Sequence, residues 1–127
     1  MKVNLSDVRG KVVKDNDTYV LEDNNYLDNL TYSTTFLKPG KSTNGHSHDS
    51  EEEVYIFTKG EALMQIDNDY HHAEKGDVFL IKAGEFHRVF NKDTEEPCAF
   101  TCIFQKYDRE GDAAVYTEEQ DNQPFAD

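Results

Sequence analysis

Residues 40–60 read GKSTNGHSHDSEEEVYIFTKG, and this stretch places three potential metal ligands within eight positions. His46 and His48 are two residues apart, so on an extended backbone their side chains project to the same side. Glu53 follows where the chain enters an apolar, strand-forming run, and it shares a face of that strand with Tyr55. A carboxylate that faces inward needs a partner, and a metal ion bound by two imidazoles is such a partner.

A second stretch, residues 76–91, reads GDVFLIKAGEFHRVFN and adds a candidate fourth ligand, His87, after the turn at Gly84. Imidazole nitrogens with one carboxylate suit Fe, Mn, Co, Ni, Cu or Zn, so the set predicts one divalent transition metal per chain. On a metal that prefers six ligands, four protein ligands leave two positions for water, oxygen or substrate. The spacing alone leaves open the alternative that these histidines belong to an ordinary surface loop.

The two stretches resemble the two sequence motifs of the cupin family. The first motif is matched without a gap by Gly40, His46, His48, Glu53 and Gly60. The second motif is matched in register by Gly76, Gly84, His87 and Asn91. Lys82 stands where the family usually has proline, and this departure affects a turn and not a ligand.

The resemblance to the cupins implies a small jelly-roll-like β-barrel with a metal ion near its mouth. It assigns four ligands to that ion: His46, His48, Glu53 and His87. It also implies that Gly60, Gly76 and Asn91 shape turns and strand ends and are not functional residues. The same metal cage serves many reactions, so the resemblance identifies the site and not the reaction.

The rest of the chain consists of short apolar, β-branched and aromatic runs separated by Gly, Asn, Asp or Lys clusters, which predicts an all-β fold. The predicted strands are 18–21, 30–37, 52–58, 61–66, 77–81, 86–90 and 98–105. Their regular spacing favours a single closed barrel, because an open sheet would leave exposed edges. We expect N-terminal strands and an arm over 1–29, the cupin barrel core over 30–107, and an acidic tail over 108–127 that either packs on the barrel or is disordered.

Composition limits the partners. The chain has 127 residues with 13 Lys and Arg against 26 Asp and Glu, a formal net charge of −13. This negative charge opposes the binding of nucleic acid and anionic membranes, so we expect a small-molecule substrate and a metal cation instead.

The N-terminus has no apolar signal segment, so a cytoplasmic protein is expected. Cys98 and Cys102 are too far apart along a strand for a disulfide, so their thiols are expected to be reduced.

Several further side chains outside the ligand set are candidates for a role. His71 and His72 lie outside both motifs and are expected to be a solvated surface pair. Lys82 and Arg88 are expected on solvated faces as well. Tyr55 is the candidate for proton transfer, because no other group outside the ligand set stands out.

Three functions are compatible with the sequence. The first is a metal-dependent enzyme that acts on a sugar, a sugar phosphate or a hydroxy or keto acid by isomerase, epimerase or lyase chemistry, with the metal as Lewis acid. The second is an iron-dependent cupin dioxygenase, and the third is a non-catalytic cupin that binds a metal and a metabolite. Unpaired barrel edges would be a liability in a monomer, so the sequence also predicts a homodimer.

Overall fold

The computed structural model describes residues 1–106, and within this range it contains strands and no helix. The strands, in chain order, are β1 (Lys11–Asp15), β2 (Tyr19–Asn24), β3 (Leu30–Leu37), β4 (Glu53–Lys59), β5 (Glu61–Ile66), β6 (Asp69–Glu74), β7 (Val78–Ile81), β8 (His87–Asn91) and β9 (Cys98–Gln105). The structure confirms the all-β prediction. The tail predicted over 108–127 lies outside the described residues.

The strands form two antiparallel sheets in a jelly-roll arrangement. One sheet has the order β1-β2-β3-β9-β4-β7, and the other has the order β6-β5-β8. Strand β9 lies between β3 and β4 and joins them into one sheet. The segment 41–46 runs beside β8, with bridges from Ser42 to Phe90 and from His46 to His87. This segment therefore extends the smaller sheet by one irregular strand.

The core fills the space between the sheets. Alternation along the strands directs every second side chain inward, as in β4, where Glu53, Tyr55 and Phe57 are buried and the residues between them are half-buried. Phe57 and Phe100 lie in this core. Each large apolar side chain that is fully buried contributes roughly 1.5–3 kcal/mol relative to an exposed one.

Two strands differ from the sequence prediction. N-terminal strands were expected over 1–29, but no range was predicted for β1, because its residues are all exposed and show no alternation. It is held by its pairing with β2. Strand β6 was predicted only as a polar loop leading into a strand, because five of its six residues are exposed and only Ala73 faces the core. Both lie at sheet margins, where backbone pairing decides the structure and hydrophobic pattern does not.

Gly60 and Asn91 have the structural roles expected of them. Gly60 has a φ of 77°, and a Cβ there would lie 2.8 Å from the carbonyl oxygen of Pro97, so only glycine fits this hairpin. The buried Asn91 amide donates to the carbonyls of Leu37 and Glu96 at 3.1 and 2.9 Å. Asn91 thereby ties the end of β8 to the ends of two neighbouring segments.

Among residues 1–106, there is no helical segment with the length and apolarity that a membrane crossing requires.

Cys98 and Cys102 both lie in β9, and both are buried and outside any disulfide. Burial raises the pKa of the Cys98 thiol to about 12, so this thiol is protonated at neutral pH. The buried positions of both cysteines agree with the expectation from the sequence that they are reduced.

We therefore expect both thiols of the native protein to resist Ellman's reagent at neutral pH, because each is buried and the reactive form is the thiolate. In concentrated guanidinium chloride, both thiols of the chain should react promptly. Rapid colour development from the native protein would show that β9 is less protected than its burial indicates.

Candidate functional site

The four predicted ligands come together at one end of the barrel. His46 ends the irregular strand beside β8, His48 follows it, Glu53 begins β4, and His87 begins β8. His48, Glu53 and His87 are buried, with exposed fractions of 4%, 5% and 1%. His46 is half-buried and marks the side of the cluster nearest to solvent.

Backbone hydrogen bonds set this arrangement. The N–H of His46 donates to the carbonyl of His87 at 3.2 Å, and the N–H of His87 donates to the carbonyl of His46 at 2.9 Å. The N–H of Gly84 donates to the carbonyl of His48 at 2.7 Å. The loop that carries two ligands is therefore fixed to the turn and strand that carry another.

The ligand atoms are close enough to share one ion. Glu53 Oε1 lies 3.3 Å from His48 Nε2 and 3.3 Å from His87 Nε2. The candidate ligand atoms of all four residues lie within 4.8 Å of one another. Two ligand atoms bound at right angles to one ion, each at about 2.1 Å, would be about 3 Å apart. The observed spacing fits a single transition metal.

The donor atoms are also oriented for a metal. Within residues 1–106, no hydrogen bond reaches Nε2 of His46, Nε2 of His87 or Oε1 of Glu53, although all three atoms are buried. Nδ1 of His87 lies 3.0 Å from the carbonyl oxygen of Glu85, which fixes the tautomer with the proton on Nδ1 and the lone pair on Nε2. Buried polar atoms without partners are costly, and a metal ion would satisfy them together.

The electrostatics favour the ligating forms. Burial, and next the neighbouring His87, lower the pKa of His46 to about 3. Burial alone would raise the pKa of Glu53, but its contacts with His48 and His87 outweigh burial and lower this pKa to about 2. At neutral pH, His46 is therefore neutral and Glu53 is ionised, which are the forms that bind metals.

Tyr55 lies on the inward face directly below the ligands. Its ring centroid is 5.5 Å from that of His87, in an edge-on arrangement, and its ring stacks on Phe100 at 5.4 Å. The side chain is 6% exposed. The structure thus places the predicted proton-transfer candidate beside a predicted ligand.

Arg88 was expected on a solvated face, and this expectation was wrong. Arg88 is 3% exposed, and its guanidinium donates to the carbonyl of Thr43 at 3.0 Å and to the hydroxyl of Ser42 at 3.2 Å. It also lies over the ring of Phe90 at 4.7 Å. Arg88 is held in place because the segment 41–46 lies beside β8. The alternation of side chains along β8 does not reveal this long-range contact.

Sequence reasoning also missed the contact between Gly45 and Phe86. A Cβ on Gly45 would lie 1.9 Å from Cζ of Phe86, so the ring packs directly on the glycine backbone. Gly45 precedes one ligand and Phe86 precedes another. This contact brings the two ligand-bearing segments closer than any other residue at position 45 would allow without movement of the ring.

The remaining histidines lie on the surface. His72 on β6 is 3.5 Å from Glu74 and 4.0 Å from Glu61, and all three side chains are exposed. His71 is exposed and lies near Phe79, with ring centroids 5.8 Å apart. Lys82 is exposed as predicted. The exposed group around His72 lacks the burial that distinguishes the four-residue cluster.

Comparison with solved structures supports this fold. The chain is similar to KdgF from Halomonas sp., with a TM-score of 0.70, 11% identity, and coverage of 81% of this chain and 92% of that one. It is also similar to an RmlC-like cupin from Shewanella frigidimarina, with a TM-score of 0.69, 13% identity, and coverage of 81% and 89%. At these identities, the similarity concerns the fold alone.

Sequence comparison identifies a relative and a protein family. The chain is 30% identical over 71 residues to the protein MJ1618 of Methanocaldococcus jannaschii, a match that covers 56% of this chain and 57% of that protein. The chain thus matches little more than half of the length of this relative. The family model for the cupin domain matches residues 34–104, which include all four clustered residues and more than half of the chain. The chain therefore belongs to the cupin family.

Proposed function

We propose that this protein is a metal-dependent cupin enzyme that acts on a small polar molecule by isomerase, epimerase or lyase chemistry. One observation carries the proposal: the candidate ligand atoms of four buried or half-buried residues converge within 4.8 Å at one end of the barrel. A cluster that served only stability would be expected to satisfy its own buried polar atoms, and this one leaves the Nε2 atoms of His46 and His87 and Oε1 of Glu53 without hydrogen bonds within residues 1–106.

His46, His48, Glu53 and His87 would hold a divalent transition metal. When bound, such a metal supplies Lewis-acid polarisation of a carbonyl or hydroxyl oxygen. The protein contributes the orientation of the ligands: Glu85 holds the ring of His87, and the backbone of Asn44 hydrogen-bonds the ring of His46. These hydrogen bonds orient both imidazole rings before a metal ion binds.

The inward face below the cluster determines how a substrate would lie. Tyr55 and Phe100 provide a stacked aromatic floor that excludes water from one side of the site. The hydroxyl of Tyr55 is the non-ligand group that we assign to proton transfer, since a phenol donates and accepts hydrogen bonds. The buried carboxylate of Glu53 offsets part of the charge of a bound divalent ion.

Metal content tests the ligand assignment directly. Protein purified without chelators should contain about one transition metal per chain by elemental analysis. His87→Ala should weaken metal binding at least about tenfold, because it removes a ligand and leaves a hole beside Glu53. The thermal midpoint of the metal-free variant should stay close to that of the metal-free parent.

His71→Ala is the matched control, because His71 is an exposed histidine outside the cluster, and it should retain full metal content. Full metal content in His87→Ala would contradict the assignment of His87 as a metal ligand. Metal-dependent turnover under nitrogen agrees with the proposed chemistry, whereas turnover only in air with bound iron would replace it with oxygen chemistry.

Tyr55→Phe separates proton transfer from binding. This variant keeps the ring that stacks on Phe100 and loses only the hydroxyl. We expect kcat to fall by about 10²-fold or more, the range of a lost general acid or base. Metal affinity and substrate KM should change little. An unchanged kcat would remove Tyr55 from the reaction.

We also propose that two copies associate through β7. Among residues 1–106, β7 is an edge of the larger sheet, and its Val78 and Leu80 are 53% and 72% exposed. The four residues between Asp77 and Lys82 carry no charge, so two copies that meet along β7 do not bring like charges together at these positions. A second copy would cover both apolar side chains and the open strand edge together.

Light scattering coupled to size exclusion should give twice the chain mass of 14.6 kDa. Leu80→Lys should convert the dimer to a monomer, because it places two like charges at the shared edge. Leu27→Lys changes another exposed leucine, in the loop between β2 and β3, and should leave the dimer intact. A monomeric parent protein, or a dimeric Leu80→Lys variant, would refute this interface.

A further inference from the structure

The turn between β5 and β6 is hydrogen-bonded to the segment that leads into β8. Ile66 pairs with Asp69 across this turn, which leaves residues 67 and 68 as a two-residue hairpin loop. The N–H of Asp67 donates to the carbonyl of Phe86 at 2.7 Å, and the N–H of Phe86 donates to the side-chain oxygen Oδ1 of Asp67 at 2.9 Å. One turn residue therefore binds both backbone polar groups of Phe86.

The side chain of Asp67 replaces a backbone acceptor at this point. The antiparallel pairing of β5 with β8 ends at Ile66 and His87, and Asp67 follows with a φ of 50°. The chain turns there, and the carbonyl of Asp67 accepts a hydrogen bond from the side-chain amide of Gln65 at 2.9 Å. Oδ1 takes the place of this carbonyl as the acceptor for the N–H of Phe86. The side chain thus continues the strand pairing by one residue beyond the end of β5.

The backbone conformation at position 67 by itself favours glycine. A positive φ at the first residue of a two-residue hairpin loop suits glycine best, and Asn and Asp tolerate it better than other residues do. Asp67 is one of two non-glycine residues with positive φ within residues 1–106. Glycine would meet the conformational requirement but would provide no acceptor for Phe86. The side-chain oxygen is therefore what aspartate adds at this position.

Phe86 connects this turn to both histidines of the backbone pair. Its ring packs on Gly45, where a Cβ would lie 1.9 Å from Cζ of the ring. Phe86 directly precedes His87, and Gly45 directly precedes His46. Loss of the hydrogen bond to Asp67 would loosen the backbone of Phe86 next to one ligand and its ring beside the other.

The ligand cluster tolerates little displacement of either histidine. Nε2 of His87 lies 3.3 Å from Oε1 of Glu53, and the bond lengths between a metal and its protein ligands stay within about 0.2 Å of their preferred values. The carbonyl of Glu85 orients the ring of His87, but this contact lies within the segment 85–87 and moves with it. Asp67 anchors that segment from another part of the chain.

We propose that Asp67 is a positioning residue of the metal centre: by holding Phe86, it keeps His46 and His87 at the spacing that a metal ion requires. This inference rests on the proposed function, because a bound metal is what makes this spacing important. Asp67 itself is exposed and is not among the four clustered residues, so it acts through Phe86.

Co²⁺ titration of the full chain tests this role, because the visible spectrum of the ion reports the geometry of its ligands. Asp67→Gly leaves the backbone free to adopt a positive φ and removes only the acceptor. We expect it to alter the visible spectrum and to weaken Co²⁺ binding at least about tenfold, the lower end of the range for losing a contact that orients a ligand. Asp67→Asn retains an acceptor oxygen and tolerance of positive φ, so it should match the parent protein in affinity and spectrum.

Asp77→Gly is the matched control, because it removes a comparable hydrogen bond from the next hairpin. Oδ2 of Asp77 accepts from the N–H of Glu74 at 2.9 Å. The carbonyl of Asp77 accepts from the N–H of Phe57, toward the end of β4 that lies away from Glu53. This variant should therefore retain the Co²⁺ affinity and spectrum of the parent protein.

Phe86→Leu provides a second variant if Asp67→Gly does not fold. Leucine has no aromatic ring to pack on Gly45, so weaker Co²⁺ binding and an altered spectrum are again expected. Failure of the parent protein to bind Co²⁺ would overturn the proposed function and this inference with it. Parent-like Co²⁺ affinity in Asp67→Gly, or in Phe86→Leu where it takes its place, would overturn this inference alone, and so would equal losses in Asp67→Asn or Asp77→Gly.

Discussion

The pair of backbone hydrogen bonds between His46 and His87 is the contact on which the site depends. It pairs a loop with the start of β8, and in doing so it sets the positions of two ligands from segments about forty residues apart in the chain. Neither segment could hold its histidine alone, because the loop has no regular pairing of its own and β8 supplies the ordered partner. Arg88 and the packing of Phe86 on Gly45 reinforce the same junction. The chemistry of the site therefore depends on main-chain geometry first and on side chains second.

Acidic and aromatic side chains are unevenly distributed over the inward face of the larger sheet. Glu53 places an ionised carboxylate among imidazoles, and the side chain of Asp23 lies on the same face of the sheet one row of cross-strand neighbours further along and three strands away. Tyr55 and Phe100 stack on each other in the rows below Glu53. An ionised carboxylate beside buried aromatic rings favours a cation over an anion at this end of the barrel. The net charge of the chain reinforces this preference before a ligand reaches the mouth.

Some features of the molecule could be predicted from the sequence, and others depended on tertiary contacts. The strands with alternating burial, such as β4, could be predicted because local alternation encodes them. The four clustered residues were assigned by the resemblance to the cupin motifs, since their spacing alone left an ordinary surface loop as the alternative. Strand β1 was missed because all its residues are exposed, and its pairing with β2 leaves no hydrophobic pattern. The burial of Arg88 was missed because residues about forty-five positions earlier create it. The inward position of Asp23 was missed because the predicted strand ended at residue 21, two positions before it.

The position of β9 has a consequence for how the chain reaches its native state. Strand β9 fills the space between β3 and β4, yet its residues are the last of the described strands to emerge during synthesis. Until β9 inserts, Glu53 lacks its neighbour Phe104, and the two halves of the larger sheet have no common strand. Contacts of such long sequence separation make closure a late and comparatively slow event. The pairing of Glu53 with Phe104, which joins one ligand to the other half of the larger sheet, therefore forms only when β9 enters the sheet.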